Sequence, residues 1–124
     1  MKKLYFLIPL LVVFLAACSK RDYVPVEVNP RDWMRTHEHG IVAYVDYSTG
    51  NYIVETNSGF AVIESWEQVT PIEYDHEYAN FSRHGVQTIY NQSGNYFKEG
   101  RVIESWLTWN EALYILDDLR FNTY

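Results

Sequence analysis

Between Gly40 and Trp66 the chain offers three β-forming runs separated by turns too short to allow anything but antiparallel neighbours. Gly40 to Tyr47 is rich in β-branched and aromatic residues and ends at Ser48-Thr49-Gly50. Asn51 to Thr56 follows, then the turn Asn57-Ser58-Gly59, then Phe60 to Trp66. Runs of this composition broken by Gly, Asn and Ser clusters predict strands joined by tight turns, here a three-stranded meander.

The second half continues in the same manner. Glu67 to Arg83 is acidic, aromatic and weakly patterned, with Pro71 as a breaker and Glu77 to Phe81 as a short candidate strand. Val86 to Tyr90 alternates apolar and polar residues and is closed by Asn91-Gln92-Ser93-Gly94, which predicts a further strand. Upstream, Arg31 to Gly40 supports one short helical turn around Trp33 with Asp32 as its cap. Thr108 and Glu111 stand at capping-box spacing, and Ala112, Leu113, Leu116 and Leu119 then recur at helical spacing. Asp117 and Asp118 lie where the helix dipole disfavours anions, so the last turn is expected to fray. Five or six short strands and one docked helix predict a mostly β fold, a small antiparallel curled sheet or partly open barrel with a C-terminal α-helix. At its most specific this is similar to an OB fold. The stretch Tyr74 to Asn80 resembles the start of the strand after the third in that family, although the helix here falls at the end of the chain.

One internal echo stands out. Gly50-Asn51-Tyr52 recurs as Gly94-Asn95-Tyr96, and Val62-Ile63-Glu64-Ser65-Trp66 recurs as Val102-Ile103-Glu104-Ser105-Trp106. Two copies are too few for a solenoid; either a duplication or two strands solving one packing problem accounts for them. In a strand, residues two apart share a face, so Glu64 is expected beside Trp66 and Glu104 beside Trp106. An indole with a neighbouring carboxylate suits a sugar, whose ring hydrogens stack on the aromatic face while its hydroxyls donate to the acid. Glu64, Trp66, Glu104 and Trp106 are therefore the candidate ligand-binding residues. The competing reading has both tryptophans closing off the core and both glutamates facing water.

No catalytic residues are assigned. Glu64 and Glu104 as a glycosidase pair would have to lie roughly 5–10 Å apart, and a domain this small builds too little cleft. Neither a nucleophile elbow nor a Gly-rich phosphate loop is present. His37-Glu38-His39, Asp75-His76-Glu77 and His84 are the only metal-like material; two histidines two apart on a strand share a face, yet no recognised ligand spacing supports them. Neither a metal nor a cofactor is assigned.

The first residues bear on location. Lys2 and Lys3 precede an apolar run from Leu4 to Ala17, which Pro9 interrupts and which is too short to span a bilayer. Leu15-Ala16-Ala17-Cys18 closes it and resembles a bacterial lipobox. That resemblance implies cleavage before Cys18, lipidation of its thiol and acylation of the new amino end. It gives residues 1–17 as signal peptide, 18–30 as lipidated Cys and extended tether, and 31–124 as a single β-rich domain. Ser19 after the Cys is similar to outer-membrane sorting signals, and Lys20 with a nearby acid resembles the surface-export tags of Bacteroidota lipoproteins, except that Arg21 intervenes. The expected location is the cell envelope, lipid-anchored, at the outer membrane, with either the periplasmic or the surface face open. Cys18 is the only cysteine, so no intrachain disulfide forms.

The chain from Cys18 onward has 107 residues, one domain's worth, with 8 basic against 16 acidic side chains, a net −8. Such a charge argues against nucleic acid as a partner. The sequence thus points to a non-enzymatic lipid-anchored domain binding a glycan or peptidoglycan-type ligand through an aromatic, acidic surface. The alternative is a protein-interaction lipoprotein (accessory subunit, immunity protein or hydrolase inhibitor) recognising a basic partner.

Overall fold

The computed structural model describes residues 28–67 and 69–121. The expected signal segment, Cys18 and all but the last residues of the expected tether lie outside the described residues. Six strands form a closed antiparallel barrel: β1 (Glu38–Val45), β2 (Tyr52–Thr56), β3 (Gly59–Ser65), β4 (His76–Ala79), β5 (Gly85–Asn91) and β6 (Tyr96–Leu107). The order around the barrel is β1-β2-β3-β6-β5-β4, and β4 returns to pair with β1. Two three-stranded meanders, β1-β2-β3 and β4-β5-β6, are thus joined at both outer seams. A small, mostly β antiparallel barrel with a terminal helix is as the sequence pattern predicts; the ring is closed where a curled sheet or partly open barrel was expected.

Strand alternation sorts the apolar residues into two clusters. Val42, Val45, Tyr52, Val54, Ala61, Ile63, Ala79, Phe81, Ile89 and Val102 fill the interior. Ile53 and Val62, in the opposite phase, pack outward against Ala112, Leu116 and Leu119 of the C-terminal helix α2 (Trp109–Phe121). The β1–β2 register shifts between Val42 and Tyr44, so Ala43 and Tyr44 follow one another outside the barrel wall before Val45 turns back inside. The bulge sets Ala43 against the cluster beneath α2 and Tyr44 edge-on to Trp109. Gly40 faces the interior where any Cβ would overlap Val54 and crowd Phe81, which fixes how closely β1 and β2 approach.

The helix begins as its sequence predicts. The Thr108 amide donates to Glu111 Oε1 at 3.0 Å and the Glu111 amide donates to Thr108 Oγ1 at 3.3 Å, a reciprocal cap. It continues to Phe121, and the expected fraying of its last turn is opposed by Arg120, which reaches Asp46 Oδ2 through Nε at 3.2 Å and through its terminal nitrogen at 3.1 Å. A cation there also suits the helix dipole.

The N-terminal turn is longer than predicted and differently capped. Helix α1 (Pro30–Thr36) starts on Asn29, whose side chain accepts the Arg31 amide at 3.0 Å, with Pro30 at the first helical position; Asp32 lies within the first turn. The folded domain therefore takes in the last residues of the predicted tether. Trp33 anchors α1 to the barrel wall, donating from Nε1 to the Tyr78 carbonyl at 2.9 Å and meeting Phe97 edge-on.

Candidate functional site

The two Val-Ile-Glu-Ser-Trp copies are neighbours, on β3 and β6, but they run antiparallel. Ser65 pairs with Gly100 and Phe60 with Leu107. Trp66 therefore leaves one end of the barrel and Trp106 lies near the other, with roughly 20 Å of strand between those levels at about 3.3 Å per residue. The four candidate residues do not converge on one platform. The tripeptide match is not a structural equivalence either, because Gly50-Asn51-Tyr52 opens β2 whereas Gly94-Asn95-Tyr96 opens β6.

At the first end the expected pairing of acid and ring is present. Trp66 Nε1 donates to Glu64 Oε1 at 2.8 Å, and the residue is 54% exposed. Glu64 pairs across the seam with Arg101, which sits between the inward-facing Gly100 and Val102 and so belongs to the outer face. The result is an exposed indole whose N–H is tied to a carboxylate, with a guanidinium on the next strand.

At the other end the geometry departs from a regular strand. The β3–β6 register shifts on both sides of Val62, so β6 carries extra residues between Val102 and Leu107. Trp106 takes φ +61°, a left-handed conformation uncommon for a bulky side chain, and is 69% exposed. Gly59 opposite has φ +117°, and a Cβ there would stand 2.9 Å from the Leu107 carbonyl. Glu104 is not bonded to the indole; it lies 3.5 Å from His84 Nε2, which also contacts Ser105 Oγ at 3.3 Å. Three residues on, Trp109 packs edge-on against Phe60 and Tyr44 while remaining partly exposed.

A polar network inside the barrel went unnoticed in the sequence. Glu77 is fully buried; it accepts from Tyr52 OH at 2.7 Å and Asn91 Nδ2 at 3.0 Å, and its Oε2 lies 3.0 Å from Lys98 Nζ. The ammonium is itself buried and sits 4.5 Å above the Tyr52 ring. Burial pulls the Lys98 amine down from its ordinary value, against the opposing pull of the Glu77 carboxylate. Burial, with the Glu77 charge beside it, pushes the Tyr52 phenol well up, and the same causes raise Tyr96 to about 12. Both phenols therefore stay protonated over the physiological range. This arrangement neutralises and orders the core. A signal was available: counting back by twos from the inward Val102 passes through Gly100 to Lys98.

The histidines are redistributed. His37 follows α1 and stacks on Trp33 with ring centroids 3.7 Å apart, so it does not join His39 in a chelate. His39 on β1 instead meets His76 on β4, with Nε2 and Nδ1 2.7 Å apart and the rings nearly parallel. Burial, then the neighbouring His76, lowers the His39 pKa. Among the described residues no cluster of three or more His, Cys, Asp or Glu is placed to hold a metal ion, and no helix is long and apolar enough to cross a membrane.

These features define a small closed β-barrel with a docked terminal helix and an aromatic residue displayed near each end. Comparison with protein-family models, curated proteins and solved structures gives no match.

Proposed function

We propose that this is a non-enzymatic, lipid-anchored domain of the cell envelope that binds a glycan or peptidoglycan-type ligand on the Glu64–Trp66 face. The observation that carries this reading is the 2.8 Å hydrogen bond from the Trp66 indole to the Glu64 carboxylate, which holds a half-exposed ring in place. A sugar ring stacking on such a surface loses little to ordering the protein, since the platform is already oriented. The remaining Glu64 oxygen and Arg101 supply an acceptor and donors for hydroxyls or an acidic substituent. Glu104 and Trp106, at the other end, are not part of this site. The test is Trp66 emission and acrylamide quenching during titration with muropeptides and neutral oligosaccharides. Protection that disappears in Trp66→Phe and weakens in Glu64→Gln supports the reading; no saturable protection by any glycan rejects it.

A second reading, recognition of a basic protein, has its own support in Trp106, whose left-handed backbone carries a mostly exposed indole three residues before the partly exposed Trp109. The net −8 charge from Cys18 onward suits such a partner. Binding led by charge weakens steeply as salt rises, whereas stacking on sugar barely responds.

A further inference from the structure

The His39–His76 pair bridges the seam that closes the barrel. β4 has only four residues and pairs with β5 at just two positions, Glu77 with Asn91 and Tyr78 with Tyr90, so its hold on β1 is what completes the ring. His39 pairs directly with Tyr78 and Ile41 with His76. The two histidines are therefore diagonal neighbours on one face of adjacent strands, at a spacing where side chains meet. The His76 amide donates to Ser93 Oγ at 2.9 Å and the His76 carbonyl accepts the Gln92 amide at 2.9 Å, which ties the His76 backbone to the β5–β6 turn. His39 is exposed and His76 partly so, which leaves an ion a route to both.

We infer that His39 Nε2 and His76 Nδ1 form a cross-strand site for a divalent transition-metal ion that clasps β1 to β4. Two imidazole nitrogens bound to one ion at about 2.0–2.1 Å each, at a right angle or a little wider, lie roughly 3 Å apart. At 2.7 Å one ring nitrogen donates its proton to the other; to bind an ion the donating ring shifts that proton to its other nitrogen, and both rings turn until their lone pairs converge on the metal. Imidazole nitrogens favour copper, nickel and zinc over calcium or magnesium, and cis nitrogens with water completing the shell suit Cu²⁺ best. The site draws one ligand from each of the two sequence clusters and uses neither cluster alone. It is independent of the proposed glycan face, since neither Glu64 nor Trp66 takes part.

The test is equilibrium dialysis of the tag-free protein against Cu²⁺, with thermal melting in parallel. The wild type is expected to bind one ion per chain at micromolar concentrations. Its midpoint should rise by about 5–10 °C at saturation, because an ion that binds only the closed barrel stabilises it by mass action. His39→Gln and His76→Gln should each lose at least tenfold in affinity and the whole thermal shift, while His84→Gln keeps both. Selective paramagnetic broadening of the His39 and His76 ring resonances in the wild type gives the same answer without substitution, should a variant fold poorly. Stoichiometric copper that persists in both Gln variants, broadening centred on other groups, or no binding in the micromolar range would each overturn the assignment.

Discussion

Ile63 and Val102 face one another inside the barrel although they occupy different places in the same pentapeptide. On β3 the isoleucine points inward and the preceding Val62 packs under α2; on β6 the valine points inward and Ile103 packs on the helix side. Identical residues are thus used in opposite phase. A strand is blind to this choice, since a shift of one residue exchanges its faces. Bulges on β6 then separate the two copies further, leaving Trp66 tied to its glutamate and Trp106 free of its own.

The buried pair Lys98–Glu77 sets the first expectation. Removing one member leaves the other as an uncompensated buried charge, a loss of about 3–5 kcal/mol. Glu77→Gln and Lys98→Met should each lower the unfolding free energy by that amount, whereas Glu77→Leu with Lys98→Met should recover much of it. A double-mutant cycle from urea melts gives the coupling directly.

Trp106→Gly should leave stability unchanged or raise it by about 1 kcal/mol, because glycine relieves the cost of a left-handed backbone in a bulky residue. If Trp106 serves a partner, binding falls while the melting temperature holds. A marked drop in stability would instead show the ring to be packed.

Acid should loosen the far end of α2. Burial pushes the Asp46 carboxyl up, but bonds from the Ser48 hydroxyl and amide, from Arg120 and from Thr49 outweigh it and hold it below its ordinary 3.8. A carboxyl depressed in the folded state contributes stability that is complete above the unfolded value and is lost as pH falls through the folded one. Melting midpoints should therefore decline below about pH 4 for this group, and Arg120→Ala should flatten that part of the profile. Because Arg120 is partly exposed, its removal costs about 1 kcal/mol or less.

Thr108→Ala deletes one half of the reciprocal cap on α2 and should cost about 1 kcal/mol, read as a lower urea midpoint. Thr108→Ser, which keeps the hydroxyl, should retain most of it.

Those local devices are the part of the fold most legible in the sequence. Thr108 and Glu111 make the two bonds their spacing implies, and Gly50 and Gly59, both at positive φ, sit in the predicted turns. Contacts between distant segments were not legible. Nothing near Glu38 announces that it will pair with Ala79, and nothing near His39 points to His76. The extension of β6 through Lys98 was hidden because Lys98-Glu99-Gly100-Arg101 is charged and glycine-containing and reads as a linker. Only the buried Glu77 makes the burial of Lys98 tolerable. For the candidate site, the spacing of Glu64 and Trp66 was enough to place them side by side, but the hydrogen bond that ties the indole to the carboxylate was not foreseen. That of Glu104 and Trp106 misled, because a bulge changes face without leaving a clear mark in composition.

The seam between β3 and β6 has a further consequence, for the order of events in folding. It joins residues 59–65 to residues 100–107, some forty positions on, and α2 docks across both sides of it. Loops of that size close slowly compared with a hairpin, and structures dominated by such pairings assemble in milliseconds to seconds, not microseconds. The first meander has no partner for β3, and its outward Ile53 and Val62 have no cover, until nearly the whole chain is present. A chain truncated before Leu107 should therefore remain unfolded as a whole and not settle into a stable half-barrel.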